Sequence, residues 1–81
     1  MLDIESRLTS IVIRHFGLPT NYNLRPKTRF IDDLGADSLN IVELVMRIED
    51  KFAIEISDEE LESFQTFEQA VRLVSRKCGQ N

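Results

Sequence analysis

Between Asp32 and Asn40 the chain reads DDLGADSLN, an acidic, glycine-containing loop that runs into a helical pattern with one hydroxyl, Ser38, at the junction. A serine at the first position of a helix points its oxygen toward backbone amides without an intrahelical partner and toward the positive end of the helix dipole. A phosphate attached there would be well received. The chain has five other serines, none in this setting. Asp37 is the expected N-cap, because its short carboxylate can accept from the free amides of the first turn. Gly35 suits a loop that turns tightly or leaves room for another protein's backbone, and Leu39 follows the serine directly. Gly35, Asp37, Ser38 and Leu39 therefore form a candidate modification site. The same local pattern also fits an ordinary helix cap with no further role.

The elements that must hold this site follow from periodicity. DIESRLTSIVIRHFG places Ile4, Leu8, Ile11, Val12 and Phe16 at helical spacing, with Asp3 to cap the start and Gly17 to end it. About twenty residues follow, LPTNYNLRPKTRFIDDLGAD, with Pro19, Pro26 and no clear period. A connection this long stays ordered only if it is tied down. Leu24, Phe30, Ile31 and Leu34 are expected to plug the core, Phe30 and Leu34 above all.

A second helix spans about Ser38 to Phe52, with Ile41, Leu44, Val45, Ile48 and Phe52 as its core face. Leu39, Val42 and Met46 make a second apolar stripe turned off that face. It is either a wide core contact or an exposed strip for a partner. In ISDEELES, Ser57 with Glu60 fits a capping box and Ile56 with Leu61 a hydrophobic staple, starting a short third helix. TFEQAVRLVSRKCG repeats the device, with Thr66 and Gln69 as capping box, Phe67, Ala70, Val71 and Val74 as buried face, and Gly79 beyond the end. No segment alternates like a strand. The expected fold is all-α: a small four-helix bundle of three longer helices and one short one, with a long first loop, forming one domain over 1–81.

Eighty-one residues suffice for one modest core. No apolar run approaches the roughly 18 residues of a membrane span, and the start lacks the pattern of a signal peptide. The expected location is cytoplasmic, without membrane insertion. The single cysteine, Cys78, has no internal disulfide partner. The formal charge of −4 conceals an asymmetry: residues 32–62 hold eleven acids and two bases, and the remainder three acids and eight bases. The acidic block would repel nucleic acid and attract basic protein surfaces, so the expected partners are proteins.

LGADSL, followed by VELVMRIEDKF and then IEISDEEL, resembles the acyl carrier protein family over nearly the whole chain, from IESRL to TFEQAV. The resemblance implies that Ser38 of the Asp-Ser-Leu motif bears a 4'-phosphopantetheine arm, attached from coenzyme A by a phosphopantetheinyl transferase that uses magnesium. It implies a carrier with no catalytic residues and no metal site of its own, which holds acyl groups as thioesters. Its partners would be acyl-loading, condensing, modifying and acyltransferase enzymes bearing basic patches. The positions matching Leu39, Val42 and Met46 face those partners in the family, beside an acidic rim made here by Asp37, Glu43, Glu49, Asp50 and Glu60, with Ile56 nearby. The resemblance also implies that the acyl chain folds between helices lined by Val45, Ile48, Ile56, Ala70 and Val71. Asn40, where many relatives have an acid, and Arg47, within the recognition helix, depart from the pattern and suggest a specialised pathway. Arg47 is expected to pair with Glu43 and Asp50.

Other readings are weaker. Amino acid or peptide carriers share the bundle and arm but tend to show a second glycine, and often a histidine, where Ala36 and Asp37 stand. A triad of His15, Ser38 and an aspartate would need a pocket that so small a bundle hardly offers, and His15 is expected at the surface. A calcium loop in DDLGADSLNIVE puts Leu34 where an oxygen ligand belongs. A helical interaction module without any prosthetic group is the remaining alternative. The expected state is a monomer.

Overall fold

A computed structural model describes residues 3–79; the first two and last two residues of the expected 1–81 domain lie outside the described residues. Four helices follow in order: α1 (Ile4–Phe16), α2 (Ser38–Phe52), α3 (Asp58–Leu61) and α4 (Phe67–Lys77). No strand is present among the described residues. The fold is the expected small all-α bundle.

Local chemistry sets the helix ends. The Asp3 carboxylate accepts from the Ser6 amide at 2.8 Å, and this bond holds its carboxyl below the usual carboxylate range. Gly17, at φ +65°, closes α1 with its amide on the Arg14 carbonyl and the Leu18 amide on that of Ile13. Ala53 ends α2 in the same left-handed region, at φ 55°. Both expected capping boxes are formed, Ser57 with Glu60 and Thr66 with Gln69.

The core is built from Leu8 and Val12 of α1, Ile41, Leu44, Val45 and Ile48 of α2, and Phe67, Ala70, Leu73 and Val74 of α4. Leu73 takes the buried position that periodicity alone assigned to Val71, which is half-buried at the edge. α1 packs on both α2 and α4. It runs antiparallel to α2: at one end the Arg7 guanidinium lies 4.4 Å over the Phe52 ring, and at the other His15 meets Asn40.

The long connection between α1 and α2 is fastened mainly by its backbone. Its middle pairs with the chain entering α4, through Phe30 N–H to the Gln65 carbonyl (3.1 Å), Phe67 N–H to the Thr28 carbonyl (3.0 Å) and Glu68 N–H to the Pro26 carbonyl (2.8 Å). Phe30 is fully buried in an aromatic stack, 6.3 Å from the Phe16 ring and 5.2 Å from Phe64. Leu24 and Leu34 pack half-buried against the core. Ile31 does not: it is 56% exposed, because the turn after Phe30 sends neighbouring side chains to opposite sides.

Among the described residues one ion pair crosses between elements. Lys77 of α4 reaches Glu60 of α3 at 2.8 Å, while the same Glu60 oxygen accepts from the Ser57 amide at 2.9 Å. The hydrogen bond from Lys77, with that from Ser57, lowers the Glu60 carboxyl to about 2.

Two outcomes are expected. Phe30→Ala should cost about 3–5 kcal/mol by leaving a void in the aromatic stack, whereas Ile31→Ala should stay within about 0.5 kcal/mol. Chemical denaturation midpoints check the contrast, and equal losses would contradict the placement of the two side chains. Because folding acidifies Glu60, its contribution to stability is full above the unfolded value near 4.5 and fades as pH falls toward about 2. Glu60→Gln should be less stable than the wild type at neutral pH, with the gap closing across that acid window in thermal unfolding.

Candidate functional site

Ser38 is the first residue of α2 and is exposed. Asp37 precedes it in extended geometry, φ −110° and ψ −177°, and its carboxylate accepts from the Asn40 amide at 2.8 Å. The Asp37 carbonyl takes the first helical bond, from Ile41 at 3.0 Å. These two bonds fix the start of the helix at the serine. The amides of Ser38 and Leu39 are left with no acceptor among the described residues. They lie beside the serine side chain, at the positive end of fifteen residues of aligned peptide dipoles.

The loop delivers this helix start with a tight closure. Ala36 is buried and donates to the Phe30 carbonyl at 3.0 Å, and Gly35 donates to that of Ile31 at 3.0 Å. Gly35 stands at φ +76°, while a side chain there would meet nothing within 4 Å. Its glycine is required by backbone angle, and open space lies beyond it. Ala36 is thus an anchor and Asp37 a cap, and Ser38 follows them exposed.

The second stripe of α2 is exposed: Leu39 at 67%, Val42 at 41% and Met46 at 60%. Of the two accounts that periodicity left open, the wide core contact is excluded by those exposures. The carboxylates around the stripe divide into two kinds. Glu43 and Asp50 are exposed, with no ion pair or hydrogen bond among the described residues. Glu49 is half-buried and accepts from the Ile56 amide at 2.7 Å, tying the α2–α3 connection to α2. Glu60 is committed to its capping box and to Lys77, and Asp37 to its cap. Ile56 is half-buried and packs against the core, as does Val71. Val45, Ile48 and Ala70 are buried within it.

Arg47 departs from expectation. Among the described residues no carboxylate lies within ion-pair distance of it, neither Glu43 nor Asp50. It lines a shallow depression on the α1–α2 seam with Ile11, Arg14, Asp50 and Lys51. Helical spacing made a pair geometrically open, but exposed pairs of this kind contribute only a few tenths of a kcal/mol, too little to hold two long side chains together.

His15 also departs. It is half-buried, with Nε2 3.2 Å from the Asn40 carbonyl and 3.1 Å from its side-chain oxygen, and it makes no hydrogen bond to Ser38. The triad geometry is therefore not formed. A His15–Asn40 pairing was not evident from local pattern, since the partners lie 25 residues apart. The one available signal was that both are polar residues at helix ends. Cys78 is a free, exposed thiol. Among the described residues no cluster of His, Cys, Asp or Glu could hold a metal ion, and no helix is long and apolar enough to cross a membrane.

An exposed hydroxyl beside two unpartnered amides fits a phosphodiester on chemical grounds, since the attached anion would find donors and a favourable dipole without displacing any core group. When residues 6–74 are compared with known families, they match the phosphopantetheine attachment site family. That match spans most of the chain, from the first turns of α1 to the later turns of α4. The protein belongs to this family of phosphopantetheine-bearing carriers, and its prosthetic group is 4'-phosphopantetheine.

Proposed function

We propose that Ser38 is the attachment residue and that the protein is an acyl carrier, moving acyl intermediates between enzymes of fatty acid biosynthesis or of related specialised acyl, polyketide or lipid synthesis. The observation that supports this most directly is the exposure of Ser38 as the first residue of α2, next to two amides with no acceptor. The resemblance of LGADSL and the following helices to acyl carrier proteins supports the acyl assignment.

In the loading step the Ser38 oxygen attacks the phosphorus of coenzyme A held by a phosphopantetheinyl transferase, and its proton passes to a base of that enzyme. The bond to the nucleotide half of coenzyme A breaks. The carrier's own part is to present the oxygen. Asp37 fixes the helix start, and the Ser38 and Leu39 amides face the charge that stays on the phosphodiester. The bound arm supplies a terminal thiol that holds acyl groups as thioesters. All else that this chain contributes is recognition.

Recognition falls to the exposed strip of Leu39, Val42 and Met46, flanked by Glu43 and Asp50 as the carboxylates free to meet a basic enzyme surface. Glu49, Glu60 and Ile56 shape this surface from behind by fixing the α2–α3 connection and the start of α3. Exposed charges raise encounter rates while adding little affinity, which suits a carrier that must leave each enzyme it visits. The unpaired Arg47, together with Asn40 in place of the relatives' acid, supports service in a specialised pathway. All 81 residues make one carrier unit that works as a cytoplasmic monomer with loading, condensing, modifying and acyltransferase enzymes.

Incubation with coenzyme A, magnesium and a broad-specificity transferase should add one phosphopantetheine in intact-mass measurement, and Ser38→Ala should abolish the gain. Retention of the gain in that variant would move the attachment elsewhere. Glu43→Lys should slow loading several-fold at low salt, converge with the wild type at high salt, and leave the unfolding midpoint within about 0.5 kcal/mol. Unchanged low-salt rates would remove the acidic rim from recognition.

A further inference from the structure

We propose that His15 is a positioning residue for the attachment serine: with a hydrogen on Nε2, it clamps Asn40 and so fixes the turn of α2 that presents Ser38. The proposal rests on Ser38 as the attachment residue and goes beyond it to what holds that residue in place.

The tautomer follows from the hydrogen bonds. Nε2 lies 3.2 Å from the Asn40 carbonyl oxygen and 3.1 Å from its side-chain oxygen. Two acceptors converge on one ring nitrogen, so that nitrogen carries the hydrogen and donates to both. The other nitrogen, Nδ1, is buried without a partner. Turning the Asn40 amide to donate to Nε2 would force the proton onto Nδ1, leaving a buried N–H with no acceptor. An unpaired acceptor is better tolerated there than an unpaired donor.

The consequence for Ser38 is geometric. Asn40 is gripped on two sides, its amide by Asp37 at 2.8 Å and its oxygens by His15. Because His15 belongs to the last turn of α1, this contact joins the first turn of α2 to a different helix. On the other side of the serine, Ala36 is held by the Phe30 carbonyl. The His15 ring stands edge-on to Phe16 at 5.1 Å, and Phe16 stacks on Phe30. Ser38 is therefore suspended between two anchors that share one aromatic column. Releasing the Asn40 anchor lets the first turn of α2 fray, so a smaller fraction of molecules presents the hydroxyl as the transferase requires. Such a loss raises the apparent binding constant and leaves the chemical step alone.

The test uses the full apo chain. In wild type, nitrogen-15 spectra of the imidazole should show the Nε2–H tautomer, and Asn40→Ala should abolish that preference. His15→Phe, which retains an aromatic ring beside Phe16, should speed hydrogen exchange of the Asn40 and Ile41 amides, both held by Asp37, relative to those of α4. It should also raise the transferase's KM for the carrier about fivefold with kcat unchanged, the size expected for one lost hydrogen bond. His15→Gln, which keeps a donor in place of Nε2, should restore both. An Nδ1–H tautomer in wild type, or wild-type exchange and KM in His15→Phe, would overturn the proposal. If Ser38→Ala still accepts the arm, the attachment assignment fails instead, and the tautomer and exchange measurements still decide whether the clamp exists.

Discussion

The geometry of this protein depends on how the long connection after α1 is pinned to the chain that enters α4. Backbone bonds from Thr28 and Phe30 to Phe67 and Gln65 fix the middle of that connection, and burial of the Phe30 ring between Phe16 and Phe64 sets its depth. From there only a short path leads through the Phe30–Ala36 bond to Asp37 and Ser38. This fastening adds to the hold that Ile41 in the core and the His15–Asn40 contact already give the start of α2. Positions near the serine that look solvent-facing are thus governed by a pairing on the far side of the loop.

A second theme is the division of labour among the acids. The block between Asp32 and Glu62 contributes most of the negative charge, yet many of its carboxylates are spent inside the molecule: Asp37 on a helix start, Glu49 on the Ile56 amide, Glu60 on Ser57 and Lys77. On α2 the carboxylates left exposed without a partner among the described residues are Glu43 and Asp50. Charge counted along the sequence therefore overstates the charge offered to a partner. Arg47 and Lys51 of α2 gather with Arg14 of α1 on the seam between the two helices, beside Asp50, so bases as well as acids border this helix.

What was legible in the sequence was whatever is local. Asp3, Asp37, Ser57 and Thr66 cap the residues three positions on, so four to five letters suffice to read them, and the core face of α2 follows from one period. The motif around the proposed attachment residue, Ser38, is equally compact. The less legible features depend on partners distant in the chain. Nothing in FID tells which neighbour of Phe30 turns inward, because that is decided by pairing with Gln65, and Ile31 is left outside. Leu73 was hidden by Val71, since both lie near the edge of the same helical stripe and only the position of α1 separates them. His15 was read as a surface residue because its partner, Asn40, arrives from 25 residues away.

The strip of Leu39, Val42 and Met46 is never covered within the molecule, and each copy carries it permanently to water. Apolar strips of this kind invite copies of a protein to stick to one another. Glu43 and Asp50 stand exposed at its border, so two strips that met with these carboxylates opposed would bring like charges together. Salt strong enough to screen those charges would weaken that opposition and leave the apolar strip the stronger influence on such an encounter.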